Sequence, residues 1–209
     1  MSPALKALLL IAAYLLGSVP FGVVLTRLLT GKDVRTVGSG NIGASNVARA
    51  AGKAAGILTL VLDAAKAAVP MLVALRLFAP EGRAVAESWA VAVGVAAFAG
   101  HIYPIWLGFK GGKGVASALG VFAVLAPIPS LVALVAFGVA YGATRIPAVG
   151  SLAGTAVCAI GTFVQVILAQ GSAGWSSPVP WAGLVVALVI VLRHRANIER
   201  LMKGAEHKV

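Results

Sequence analysis

The chain has 209 residues, of which 60% are hydrophobic and only 11% charged, and it carries a formal net charge of +11. Soluble globular domains of this length do not have so little polar surface, so the composition excludes that class and points to an integral membrane protein. Apolar runs cover most of the sequence and leave no room for a soluble domain, so residues 1–209 read as a single polytopic membrane domain. The one cysteine, Cys158, lies in an apolar run, which excludes a disulfide framework and a thiolate metal cluster.

A spanning helix needs about 20 apolar residues. The first predicted helix covers about 4–25. It opens like a signal peptide, with Lys6 ahead of an apolar core. The apolar character runs on past Gly17 and Pro20 to Leu29, so it reads as a retained helix that these two residues bend. A polar, glycine-rich stretch follows, up to Lys53. The second helix, 54–78, carries Asp63 and Lys66 inside it, and a turn at 80–83 leads to the third, 85–99. Residues 100–114 hold a glycine-lysine stretch. The fourth helix, 115–125, is stopped by Pro127 and Pro129, and the fifth covers 130–143. Arg145 and Pro147 mark a turn before the sixth, 149–169. A loop at 171–178 precedes the seventh, 179–192, and a basic tail closes the chain. The expected fold is an all-α integral membrane protein, a seven-transmembrane-helix bundle. The fourth and fifth helices are short for a bilayer, and a five-helix alternative in which they form a re-entrant pair stays open.

Seven crossings place the first polar loop, the glycine-lysine stretch, Arg145 and the tail on one face. Of the 17 lysines and arginines, only Lys6, Arg76 and Arg83 fall on the other face and Lys66 within a helix. The rest, from Arg27 through to Lys208, share the first face. An excess of lysine and arginine in short loops marks the cytoplasmic side, so the amino terminus is expected outside and the carboxyl terminus in the cytoplasm. Charge serves topology alone in the plainer reading, but topology needs no glycine runs.

Three polar segments carry chemistry. In the first loop, Ser39, Asn41, Ser45, Asn46 and Arg49 are spaced among Gly38, Gly40 and Gly43. Such a loop can aim amides and hydroxyls at an anion. A helical turn over 45–51 would put Asn46 and Arg49 on one face; the alternative is a simple turn with Ser45 as helix cap. In the middle of the chain, Gly100, His101, Tyr103 and Pro104 lead into Lys110, Gly111, Gly112, Lys113 and Gly114. Glycines let backbone N–H groups approach a ligand and lysines add charge, which suits a phosphate. The stretch is not a P-loop. Gly108 to Lys113 is one residue short of that spacing, and Gly114 stands where Ser or Thr would bind magnesium. In the tail, Arg193 and Arg195 flank His194, a neighbourhood that keeps the imidazole neutral and able to accept a proton. Glu199, five residues on, gives a loose likeness to the histidine-aspartate dyad of thioester-dependent acyltransferases; the alternative is a tail anchored on lipid headgroups.

Asp63 and Lys66 sit one turn apart within a helix. Intramembrane charges face a bundle interior or water. The first reading is an ion pair bracing the site, the second is contact with substrate, and the third is a proton or ion path. A lone histidine at a helix end, such as His101, is more often structural than catalytic.

Together, the Gly38–Arg49 segment, the Gly100–Pro104 and Phe109–Gly114 segments, and the tail from Arg193 through His194, Asn197, Glu199 and Arg200 resemble the three signature motifs of the bacterial membrane acyl-phosphate:glycerol-3-phosphate acyltransferases. The resemblance covers nearly the whole chain. Ser45 stands where that family usually has Thr, and the segment from Thr144 to Ser151 is looser. The resemblance implies that a long-chain acyl phosphate, made by a soluble partner enzyme, donates its acyl group to the 1-hydroxyl of glycerol 3-phosphate. Lysophosphatidate and phosphate would result, in the first acylation step of bacterial phospholipid synthesis. The setting would be the cytoplasmic (inner) membrane, with the site on its cytoplasmic face. Such an anhydride needs positioning and charge stabilisation rather than a covalent nucleophile.

Arg49, Lys110 and Lys113 are then expected to hold phosphates. Gly38, Gly40, Gly43, Gly111 and Gly112 would help through their amides, with Ser39 and Ser151. Asn41 or Asn46 would serve the carbonyl oxyanion. His194 would accept the hydroxyl proton or orient substrate, unless a substrate phosphate takes that proton. Asp63, Lys66, His101 and Asn197 would support the site. No cofactor, metal or nucleic acid is expected, since no carboxylate cluster is available for a cation. A transporter for a phosphorylated metabolite would use the same charges, but such proteins usually show repeated halves, and no repeat is visible. A lipid-binding scaffold would explain the basic face but not the glycine loops.

Overall fold

The computed structural model describes residues 2–206, and every regular element among them is helical. Residues 207–209, including Lys208 of the tail's charge count, and residue 1 lie outside the described residues. The helices are α1 (Pro3–Gly17), α2 (Phe21–Thr30), α3 (Ala44–Ala51), α4 (Lys53–Phe78), α5 (Arg83–Ile102), α6 (Val115–Leu125), α7 (Pro127–Thr144), α8 (Pro147–Gln170), α9 (Pro178–Arg193) and α10 (Arg195–Met202). Two compact units result, Met1–Val121 and Phe122–Val209.

Five segments are long and apolar enough to cross a bilayer: Pro3–Thr30, Lys53–Glu81, Arg83–Leu107, Pro127–Thr144 and Pro147–Ser176. The pair α9 and α10, bent by 57°, makes a sixth if taken as one span. The seven expected spans are therefore five or six by length. The helix that falls short is α6, whose 11 residues rise only about 16 Å at 1.5 Å per residue. Pro127 begins α7 directly after it, at the first-turn position where the missing N–H costs nothing.

In the first unit, α1 and α5 meet backbone to backbone. A side chain at Gly17 would strike the Ala97 carbonyl, and one at Gly100 would strike the Tyr14 carbonyl. Small residues at such crossings let membrane helices approach closely. The first span is interrupted at Ser18–Pro20, where Pro20 has no N–H to continue the helix ladder. Val23 and Ala55, from the first and second spans, form a small buried cluster with Val34, Ile42 and Val47 that pins the 31–52 segment down.

In the second unit, α7 and α8 pair along Gly150 and Gly154, which lie against Phe137 and Ala133. Phe163 meets Trp175 and Trp181 edge-on at the far end of α8. His194 marks the break between α9 and α10.

Candidate functional site

The first glycine loop is built on Asn46. Its Oδ1 accepts the Ser39 N–H at 3.1 Å, and its Nδ2 lies 2.9 Å from the carbonyl oxygens of Val34, Val37 and Asn41. The side chain is 2% exposed. An amide engaged in this way has no donor left for a substrate. Asn46 therefore organises the loop, and the expectation that it touches phosphate or oxyanion gives way to that role. Asn41 contributes a turn, its Oδ1 accepting the Gly43 N–H at 3.0 Å.

Gly38 and Gly40 have φ of +53° and +68°, in the left-handed region. The backbone between them displays Ser39, which is exposed. Helix α3 begins at Ala44, with Gly43 ahead of it and no side chain capping its first amides. Ser45 is thus the second residue of α3 and not its cap. Uncapped amides at a helix amino end favour an anion. Asn46 and Arg49 share a face of α3, as expected. The Arg49 Cδ lies beside Gly38, 3.6 Å from where a Cβ would stand.

Not all the basic residues are available to a ligand. Asp33 takes Arg35 at 2.6 Å and Arg27 at 3.2 Å. The Arg35 guanidinium holds the Asp33 carboxyl well below the usual carboxylate range. Among the described residues, Arg49 and Lys110 form no ion pair with an acid.

The central loop folds back on the end of α5. Gly111 and Gly112 donate their N–H groups to the carbonyls of Ile102 and His101, at 3.2 and 3.1 Å. They cap the helix's last carbonyls, so these two amides are not aimed at an anion as the sequence suggested. Leu107, in the same loop, packs on the Val23–Val34–Ile42–Val47 cluster beneath the first loop. The two glycine loops are thereby neighbours within the first unit, and Lys110 emerges exposed while Lys113 is half-buried.

Beneath them lies a buried polar cluster. Lys66 Nζ is 2.7 Å from Asp63 Oδ1 and donates to the Val19 carbonyl at 2.8 Å. The His101 Nδ1 is 3.7 Å from the same carboxylate oxygen. Ser117 Oγ donates to the Asp63 carbonyl at 3.0 Å. The bracing ion pair was legible in the sequence; its link to the break in the first span was not, because no spacing relates residues 19 and 66.

In the second unit, His194 is 2% exposed. Its Nδ1 lies 2.8 Å from the Ile190 carbonyl oxygen. A nitrogen facing a carbonyl must donate, so the neutral ring has Nε2 as its acceptor. Asn197 donates to Glu206 at 2.9 Å and Arg200 does so at 2.8 Å. Glu206, which sequence reasoning missed, is the carboxylate that organises the tail; Glu199, the expected partner in a dyad, is exposed. Ser151 lies in the first turns of α8 with its hydroxyl on the Pro147 carbonyl at 2.9 Å.

Known proteins fit this arrangement. The family profile described as glycerol-3-phosphate acyltransferase matches residues 7–204. The chain belongs to the glycerol-3-phosphate acyltransferase family. Proteins of that name from Anaeromyxobacter dehalogenans (strain 2CP-C) and Myxococcus xanthus (strain DK1622) are 63% and 47% identical to it. The first match covers 100% of both chains, the second 96% of this chain and 97% of the relative. Crystal structures of PlsY, an integral membrane glycerol 3-phosphate acyltransferase, superpose on it. The glycerol 3-phosphate form gives a TM-score of 0.84 at 37% identity, covering 98% of this chain and 95% of that one. The lysophosphatidic acid form gives 0.81 at 35% identity, covering 97% and 94%. Membership of this acyltransferase family displaces the transporter and scaffold readings.

Proposed function

We propose that this acyltransferase moves a long-chain acyl group from acyl phosphate to the 1-hydroxyl of glycerol 3-phosphate, releasing lysophosphatidate and phosphate, as the first acylation of phospholipid synthesis. The observation that carries the reading is the first unit's pair of neighbouring glycine loops, where Arg49 and Lys110 have no acidic partner among the described residues and α3 begins with no side chain capping its amides. Both proposed substrates carry phosphate, and PlsY relatives are described with glycerol 3-phosphate and with lysophosphatidic acid. Arg49, Lys110 and Lys113 bind phosphate, with Ser39 and the first α3 amides. Asn41, through its turn, holds the Gly40–Gly43 backbone near the reacting carbonyl. His194 Nε2 accepts the hydroxyl proton or orients the substrate, and Ser151 adds a polar contact.

The donor follows from chemistry. The leaving phosphate departs already charged, so no strong general acid is required. Arg49, Lys110 and Lys113 supply the positive charge that balances the phosphates. The protein sits in the bacterial inner membrane, receiving its donor from a soluble acyl-phosphate-producing enzyme. The amino terminus is outside and the tail cytoplasmic. Seven crossings give that sidedness, and in that arrangement α6 crosses despite its length, with local thinning of the bilayer.

The test is product formation from labelled glycerol 3-phosphate with purified protein and each donor in turn: acyl phosphate, acyl-coenzyme A and acyl carrier protein. Only acyl phosphate should serve, with or without chelator. Equal rates from a thioester would overturn the donor assignment.

A further inference from the structure

His101 and Gly112 face one another at the base of the central loop. Gly112 is buried and its backbone is not in the left-handed region. Its own conformation would admit any residue. A Cβ there would overlap His101 Nε2 and stand 3.0 Å from Cε1 and 3.1 Å from Cδ2. The neighbouring imidazole is the nearest obstacle to a side chain. The backbones are joined as well, by the Gly112 N–H on the His101 carbonyl at 3.1 Å. The other edge of the ring faces Asp63, with Nδ1 3.7 Å from Oδ1, and Lys66 holds that carboxylate at 2.7 Å. His101 is 3% exposed. One ring is thus set between a fixed buried ion pair and the residue preceding Lys113.

We propose that His101 is a positioning residue: its imidazole is a spacer between the Asp63–Lys66 pair and the Gly112 backbone, and it fixes where Lys113 presents its ammonium. The reading of Lys113 as a phosphate contact underlies the functional half of this proposal. No proton transfer is assigned to His101. Its ring sets a distance, and a displaced Gly112 carries Lys113 with it. Positioning errors of about 1 Å cost as much as 10²-fold in rate.

The two edges of the ring can be separated by substitution. Asparagine reproduces the His101 Nδ1 position, so it keeps a donor toward Asp63, but it lacks Cε1 and Nε2. His101→Asn therefore removes the Nε2 and Cε1 atoms that crowd a methyl at residue 112 and keeps an atom at the Cδ2 position, 3.1 Å away. Gly112→Ala alone is expected to raise KM for glycerol 3-phosphate at least tenfold. In the double variant His101→Asn with Gly112→Ala, most of that loss should be recovered. His101→Gln, whose longer amide reaches the Nε2 position, should give no rescue.

Steady-state KM and kcat on the detergent-purified full chain, with thermal unfolding in parallel, read the result. If Gly112→Ala reduces folded yield, restoration of that yield in the double variant is the same rescue. A neutral Gly112→Ala, additive losses in the double variant, or changes in unfolding temperature with KM untouched would each overturn the proposal. Lys113→Ala, assayed alongside, tests the phosphate reading separately: an unchanged KM there removes the link to substrate, whereas the cycle judges the spacer itself.

Discussion

Lys66 Nζ donates to the carbonyl oxygen of Val19 at 2.8 Å, 47 residues earlier in the chain, while holding Asp63 Oδ1 at 2.7 Å. A cation inside a span thus serves a carboxylate on its own helix and the backbone at the break in the first span. Removing one partner of a buried pair leaves the other charge uncompensated. Lys66→Met is expected to destabilise by about 3–5 kcal/mol. The double variant Asp63→Asn with Lys66→Met should lose clearly less, since no charge is then stranded. Thermal unfolding in detergent of the two singles and the double checks this; strict additivity would count against coupling.

Asn46 is a second structural anchor. Asn46→Asp replaces the Nδ2 donor with an oxygen that faces the carbonyls of Val34, Val37 and Asn41. The charged variant should be worse than Asn46→Ala, which forfeits about 1–3 kcal/mol by leaving buried groups unsatisfied. Both should make the 31–52 segment cleavable by protease. Intact protection alongside lost activity would return Asn46 to direct substrate contact.

Arg49→Ala and Lys113→Ala probe the phosphate contacts. A charge-assisted hydrogen bond is worth about 1.5–3 kcal/mol, so kcat/KM should fall about 10- to 150-fold while insertion and folding persist. Unchanged kinetics would reduce both residues to topology signals.

For His194, the tautomer set by the Ile190 carbonyl makes Nε2 the acceptor. If it takes the hydroxyl proton, His194→Ala should lower kcat by about 10²- to 10⁴-fold and remove the limb of the pH–rate profile due to its titration. A loss confined to KM would assign it to substrate orientation.

Topology is checked with reporters. One fused at the carboxyl end should read cytoplasmic and one at the amino end external. Both ends on one face would mean an even number of crossings and would overturn the seven-span arrangement.

The sequence by itself determined the all-α membrane class and the family, while the seven spans it suggested are five or six by length. Apolar runs of spanning length permit little but helices in a bilayer, because lipid satisfies no backbone polar group. Proline and glycine then marked the breaks at Pro20, Pro127 and Pro147. The three polar segments were legible as chemistry because such residues are rare in so apolar a chain. What only the tertiary structure decided was which polar groups the protein itself engages. Asn46, Gly111 and Gly112 looked like ligand donors because their residue types fit that task. The fold instead spends them on the carbonyls of Val34, Val37 and Asn41 and on the end of α5. Arg27 and Arg35, unlike Arg49, are engaged by Asp33. Hydrogen-bond capacity is finite and is allotted by three-dimensional neighbours. Composition and spacing therefore name the candidates, and packing alone assigns each donor its acceptor.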